Sequence, residues 1–202
     1  MDVGCGIGTD GHSFAAYGAE YTGVDLSQAS LDLAKRRFQV FDVKGRFLRG
    51  NVEQLHEALR LDSYGYDLIW SFGVLHHTPS IDLALAELRK LSDPGVTKIK
   101  IMVYASNSWK QRMIDAGYDQ PEAQSGCPIA RSFTPQEIEY LLVEAGFVVD
   151  SIRQDHIFPY RVEEYKRHEF IKQPWFDAMP TEMFRTLEQT LGWHLLIDAH
   201  VA

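Results

Sequence analysis

The chain has 202 residues, 45% hydrophobic and 12% aromatic, which suits one sizeable core in a single domain. A formal net charge of −8 argues against a nucleic-acid partner, whose surface would need a basic face. No run of about 18 apolar residues exists to span a membrane, no signal peptide is visible, and Cys5 and Cys127 cannot form a disulfide framework, so the cytoplasm is the expected location.

The first residues, Met1-Asp2-Val3-Gly4-Cys5-Gly6-Ile7-Gly8, read as a strand turning through glycines into a helix that starts near Thr9-Asp10. Glycine stands there where the backbone bends and a ligand must come close. The dinucleotide fingerprint G-x-G-x-x-G would need its third glycine at position 9, which is Thr9. An NAD-dependent oxidoreductase is therefore kept only as an alternative. Only three residues precede the glycines, whereas a buried parallel strand usually has about five or six.

A short helix is expected over 10–17, ended by Gly18, and a second strand over 21–25, ending in Asp25. Ser27 is placed to cap a helix over 28–39, which sets Leu31, Ala34 and Phe38 near one face. Residues 45–50 suggest a third strand near a sheet edge, and Asn51 can cap a helix over 52–60. The clearest strand is 66–72, leading into Gly73-Val74-Leu75-His76-His77-Thr78-Pro79. A helix over 80–91 carries Ile81, Ala84, Leu85, Leu88 and Leu91 at helical spacing and stops at Asp93-Pro94-Gly95. Residues 97–105 form a fifth strand. The stretch 106–133 has no clear period and reads as a lid or substrate loop. Thr134-Pro135-Gln136-Glu137 is a capping box for a helix over 135–145. A sixth strand over 147–153, helices over 161–171 and 180–190, and a last strand over 193–199 complete the chain.

The Gly4-x-Gly6-x-Gly8 loop, Asp25, and Tyr66-Asp67-Leu68-Ile69-Trp70-Ser71 running on to Val74-Leu75-His76-His77 together resemble the small-molecule class I S-adenosylmethionine (SAM)-dependent methyltransferases. The resemblance implies an α/β fold: a Rossmann-like, doubly wound, seven-stranded sheet in the order 3-2-1-4-5-7-6, with strand seven antiparallel. It also implies a longer first strand and a helix before it, so the sequence reads as short at its amino end. SAM is expected over the carboxyl ends of strands one to four, leaving as S-adenosylhomocysteine. Asp2, Gly4, Gly6 and Gly8 would face its methionine part, and Asp25 the ribose, with Leu26 beside it. Asn51, Val52 and Glu53 would face the adenine side, with Ser71, Phe72 and His76 as further cofactor contacts. Simple helix capping is the competing role for Asp25 and for Asn51.

About 35 residues separate the last two strands, so helical caps near 106–133 and 155–192 are expected within one domain, 1–202. His156 is the candidate general base because it follows strand six at the ligand face, and Tyr104 and Tyr160 are candidate substrate contacts. The competing role of all three is packing or loop shaping. Cys127 reads as a small buried residue. No metal-ligand spacing is present, and 71–74, Ser-Phe-Gly-Val, is not the motif of amino-directed DNA methyltransferases. The function expected is methyl transfer from SAM to a small-molecule acceptor, with a homodimer left open. A SAM-binding protein or truncated fragment without transfer activity is the alternative.

Overall fold

The computed structural model describes residues 1–59, 65–118 and 128–202. Its first half alternates strand and helix: β1 (Asp2–Val3), α1 (Thr9–Ala16), β2 (Thr22–Asp25), α2 (Gln28–Val40) and β3 (Arg46–Arg49). A 3-10 turn, Val52–Gln54, runs into α3 (Leu55–Leu59), followed by β4 (Leu68–Phe72), a second 3-10 turn, Leu75–His77, α4 (Ile81–Lys90) and β5 (Lys98–Ala105). The second half holds α5 (Trp109–Asp115), β6 (Ser132–Phe133), α6 (Pro135–Glu144), β7 (Val148–Asp155), α7 (Val162–Tyr165), α8 (Pro174–Asp177), α9 (Thr181–Leu191) and β8 (His194–His200).

The strands pair in the order β3-β2-β1-β4-β5-β8-β7, and β8 runs antiparallel to both neighbours. This is the expected order with one addition. The two-residue β6 pairs with Tyr104 and Ala105 of β5, beyond the register that β4 occupies. The parallel strands are joined by helices because a right-handed crossover needs an element long enough to return over the sheet.

The main core lies on one face. Val3, Val24, Ile69, Ile99, Leu195 and Ile197 meet Leu85 and Leu88 of α4 and Ile138 and Leu142 of α6. Burying each such Leu or Ile side chain contributes about 1.5–3 kcal/mol. On the other face Cys5, Tyr21, Leu31 and Phe38 form a smaller cluster that Phe14 of α1 packs against. Strand alternation explains the division: in β5, Ile99 and Ile101 are buried while Lys98 and Lys100 are exposed.

Caps fix the helix starts. Ser27 accepts from the Ser30 N–H at 3.2 Å, and Thr134 and Glu137 form the expected reciprocal box. The helix expected from Asn51 begins as a 3-10 turn, and residue 60 lies outside the described residues, as does Cys127. The helix expected over 161–171 is one turn, α7. The chain then takes a left-handed conformation at His168 (φ 63°), and Tyr160 bridges back to Lys172. Rings of Phe158, Tyr160, Tyr165 and Phe170 pack together there, and that packing replaces the missing helical turns.

Candidate active site

A cleft of about 340 Å³ opens at the carboxyl ends of the parallel strands, where the order reverses between β1 and β4. Ligands of open α/β sheets bind at such a switch point. Gly4, Asp25, Leu26, Asn51, Val74 and His77 are among its walls.

The glycine loop is shaped by close approach. Gly4 has φ +77°, and a Cβ there would stand 2.2 Å from Val74 Cγ2, so the loop lies directly on the exit of β4. Gly6 has φ +52° and faces open space, with no heavy atom within 4 Å of where a Cβ would be. Gly4 and Cys5 both donate to the Val24 carbonyl, at 2.7 and 3.0 Å. Gly8 is the N-cap of α1, and its own missing Cβ would press on Ala34 at 3.0 Å, away from the cleft.

Asp25 accepts the Gly6 N–H on one oxygen and the Ser27 N–H on the other, each at 2.8 Å. Ser27, not Asp25, caps α2. A carboxylate has about four acceptor positions, so Asp25 keeps capacity for a ligand's hydroxyl groups. Asn51 Oδ1 accepts the Glu53 N–H at 3.1 Å, and the residue lines the cleft. Val52 also lines the cleft.

The other residues expected at the cofactor are not among the walls of the cleft. Asp2 is 4% exposed and accepts the Tyr21 hydroxyl at 2.8 Å, and burial pushes its carboxyl up to about 6. Glu53 accepts the Ser80 N–H at 2.6 Å and so ties the turn after β3 to the start of α4. Ser71 Oγ donates to the Val3 carbonyl at 3.2 Å, joining β4 to β1. Phe72 stacks on Trp70 at 5.6 Å. His76 is fully buried, while His77 lines the cleft with Nδ1 2.7 Å from the Ile129 carbonyl oxygen.

Beyond His77 lies a train of rings. His76 is 4.1 Å from His77 and 3.8 Å from Tyr104, and Tyr104 stacks on Trp193 at 4.3 Å. His194 lies over Tyr104 at 6.4 Å and stacks on His156 at 4.4 Å. Desolvation holds both His76 and His194 down to about 3, so each is a neutral imidazole at ordinary pH. His156 has a left-handed φ of 73°. Its N–H donates to its neighbour Asp155 and its carbonyl accepts the Trp193 N–H, each at 2.7 Å. The structure thus brings Tyr104 and His156 to one end of the sheet. Tyr160 belongs to the separate ring cluster with Phe158, Tyr165 and Phe170.

Sequence reasoning passed over Gly73, Val74, Thr78 and Pro79 in the cleft wall, and Trp193 and His194 beside Tyr104. The first four lie within the motif after β4 and were readable there. For Trp193 the signal was Gly192, whose Cβ would collide with the Asp155 carbonyl at 2.2 Å, marking where β7 and β8 converge.

A larger groove of about 940 Å³ opens at the opposite, amino-terminal ends of the strands, between Thr22 and Arg46 on one side and Asp67 and Leu68 on the other. Among the described residues no three His, Cys, Asp or Glu side chains are grouped to hold a metal ion, and no helix is long and apolar enough to cross a membrane.

A parallel sheet with one reversed strand beside its edge, and a glycine-loop cleft at the switch point, make a Rossmann-like fold that solved SAM-dependent methyltransferases share. Residues 1–97, just under half of the chain, match the family described as methyltransferase domain. A ubiquinone biosynthesis O-methyltransferase of Alkalilimnicola ehrlichii is 32% identical over 95 residues, which are 47% of this chain and 37% of that protein. A hybrid PKS-NRPS synthetase of Emericella nidulans is 27% identical over 179 residues, 84% of this chain and 4% of that one. The chain therefore spans well under half the length of these relatives. A SAM-dependent methyltransferase of Methanosarcina mazei superposes with a TM-score of 0.67 at 16% identity, covering 99% of this chain and 90% of that one. Magnesium protoporphyrin IX methyltransferase of Synechocystis, solved with S-adenosylhomocysteine, gives 0.63 at 16% identity, covering 100% and 73%.

Proposed function

We propose that this chain transfers a methyl group from SAM to a small-molecule acceptor. The observation that carries the reading is the Asp25 carboxylate bonded to the glycine loop at the switch point, with Asn51 across the same cleft. The cradle suits the group: Gly6 opens onto free space, and a side chain on Gly4 would close the loop against Val74. Asp25 holds the ribose hydroxyls, Asn51 with Val52 the adenine side, and Gly4 and Gly6 the methionine part. Asp2, Gly8, Glu53 and Ser71 support these residues from behind.

SAM supplies an activated methyl on a sulfonium, so no covalent nucleophile is asked of the protein. The chain's share is to align the acceptor and exclude water. Tyr104 and His194 border the acceptor side, and His156 receives a proton where the acceptor must lose one. Residues 106–133 and 155–192 act as caps on a single domain, 1–202, which works in the cytoplasm without nucleic acid. The net charge of −8 favours that choice of partner.

Thermal-shift titration with SAM, S-adenosylhomocysteine and NAD tests the donor. A rise in Tm with the first two and none with NAD is expected, and a rise with NAD alone overturns the reading. Transfer of a labelled methyl to a metabolite extract separates an enzyme from a protein that only binds SAM.

A further inference from the structure

Positive charge is concentrated in one stretch of this acidic chain. Lys35, Arg36, Arg37, Lys44, Arg46 and Arg49 stand against two acids, Asp32 and Asp42, so residues 28–50 carry +4 in a chain of −8. All six but Arg37 are exposed. Among the described residues none of the six forms an ion pair, whereas Lys90, Lys100, Arg161 and Arg185 do. Arg37 and Arg49 donate instead to the carbonyls of Ile7 and Leu26. Arg46 and Arg49 open and close β3, the end strand of the sheet, which among the described residues pairs with β2 alone. The Arg46 N–H donates to the Tyr21 carbonyl at 2.9 Å and the Gly50 N–H to the Asp25 carbonyl at 3.1 Å. Parallel strands bond through alternate residues, so the N–H and C=O of Phe47 and Arg49 point away from β2 along an open edge. Phe47 and Leu48 are half-buried between the two arginines. Strand alternation therefore gives each face of this edge one cation and one partly covered apolar side chain.

We propose that the β3 edge is an interaction surface for an extended segment of an acidic protein, which adds to the sheet beside β3 with the pattern acidic–apolar–apolar–acidic. The open backbone groups supply affinity through strand pairing, and the side chains supply the choice of partner. Arg-Phe-Leu-Arg reads the same in both directions, so this complement suits a parallel or an antiparallel segment. Opposite charges facing each other across two strands stabilise the pair, and like charges oppose it. A second copy of β3 is thereby excluded as the occupant. A nucleic acid longer than the patch would meet the surplus of negative charge on the rest of the chain, so a protein segment is the better match. The surface goes beyond the methyl-transfer reading and does not depend on it.

The test uses the full chain and fluorescein-labelled peptides in anisotropy titrations at low salt, up to about 1 mM. A peptide with the core Glu-Val-Val-Glu is expected to bind saturably. The same peptide N-methylated through its core cannot pair with a strand edge and is expected to bind at least tenfold more weakly. A Val-Glu-Glu-Val peptide, which misplaces the charges, is expected to bind severalfold more weakly. Arg46→Glu combined with Arg49→Glu is expected to lose the acidic peptide and to gain one with the core Lys-Val-Val-Lys, with an unchanged circular dichroism spectrum. Among the described residues Arg46 makes no side-chain hydrogen bond or ion pair, so Arg46→Glu alone decides the matter should the double variant fail to fold, with a severalfold loss expected. Absence of saturable binding by the Glu-Val-Val-Glu peptide, equal binding of its N-methylated form, or wild-type affinity in the folded variants overturns the proposal. Tighter binding of an oligothymidylate of the same charge overturns it in favour of a nucleic-acid partner.

Discussion

The Gly6 N–H donates to the Asp25 carboxylate at 2.8 Å, so the end of β2 holds the glycine loop directly. The second oxygen takes the Ser27 N–H at the entrance to α2. One side chain therefore positions two walls of the cleft before any ligand arrives. Asp25→Ala is expected to lower S-adenosylhomocysteine affinity at least tenfold by calorimetry. The stability cost is only about 1–2 kcal/mol, because the Ser27 bond is exposed to water. Affinity within twofold of wild type would remove Asp25 from the site.

Gly4→Ala meets two obstacles, the left-handed φ of +77° and the Val74 side chain 2.2 Å from the new Cβ. A loss of about 2–4 kcal/mol in urea unfolding is expected, with loss of donor binding. Gly18→Ala is the control. It has φ +93° but nothing within 4 Å, so only the backbone cost of about 1–2 kcal/mol applies.

Asp2 makes stability depend on pH in an unusual direction. Burial raises its carboxyl to about 6 in the folded chain, above the ordinary 3.8. The folded state thus binds this proton more tightly than the unfolded state. The contribution is present below about pH 4 and is lost as pH rises to about 6. Asp2→Asn keeps an oxygen for the Tyr21 hydroxyl and carries no charge. It is expected to exceed wild-type stability by about 2–3 kcal/mol at pH 8, the gain shrinking toward zero near pH 4. A gain independent of pH in denaturant titrations would contradict this account.

His76 and His194 act in the opposite sense. Both are held at about 3 by burial, below the ordinary 6.5, so unfolding takes up two protons in acid. Their contribution is complete above about pH 6.5 and falls away as pH drops toward 3, by up to about 1.4 kcal/mol per pH unit for each. His194→Gln is expected to halve this slope in Tm measured against pH. Between pH 6 and 4 the Asp2 effect offsets part of it, so the double variant with Asp2→Asn gives the cleaner reading.

Local chemistry made much of this fold legible. Ser27 and the Thr134–Glu137 box announce helix starts through their own side chains, and the alternation of Lys98, Ile99, Lys100 and Ile101 announces a half-covered strand. The direction of Asp2 was not legible. It depends on the pairing of Asp2 with Gly23, which has no side chain and so admits the Tyr21 hydroxyl. The ring train was hidden for the same reason at longer range, because Tyr104 meets His194 only through the register of β5 on β8. The helix expected over 161–171 failed because ring packing among Phe158, Tyr160, Tyr165 and Phe170 outweighs helical propensity over so short a stretch.

The reversed strand also sets an order of events. Lys98 pairs with His200 across about a hundred residues, whereas β2 and β3 are joined by a single local crossover. Closure of so long a loop is slow, and among the described residues β7 pairs in the sheet with β8 alone. The donor cleft can consequently assemble in a folding intermediate while the walls around Tyr104 are still open. Refolding watched by stopped flow should recover nucleoside binding before the fluorescence of Trp193 reaches its final value.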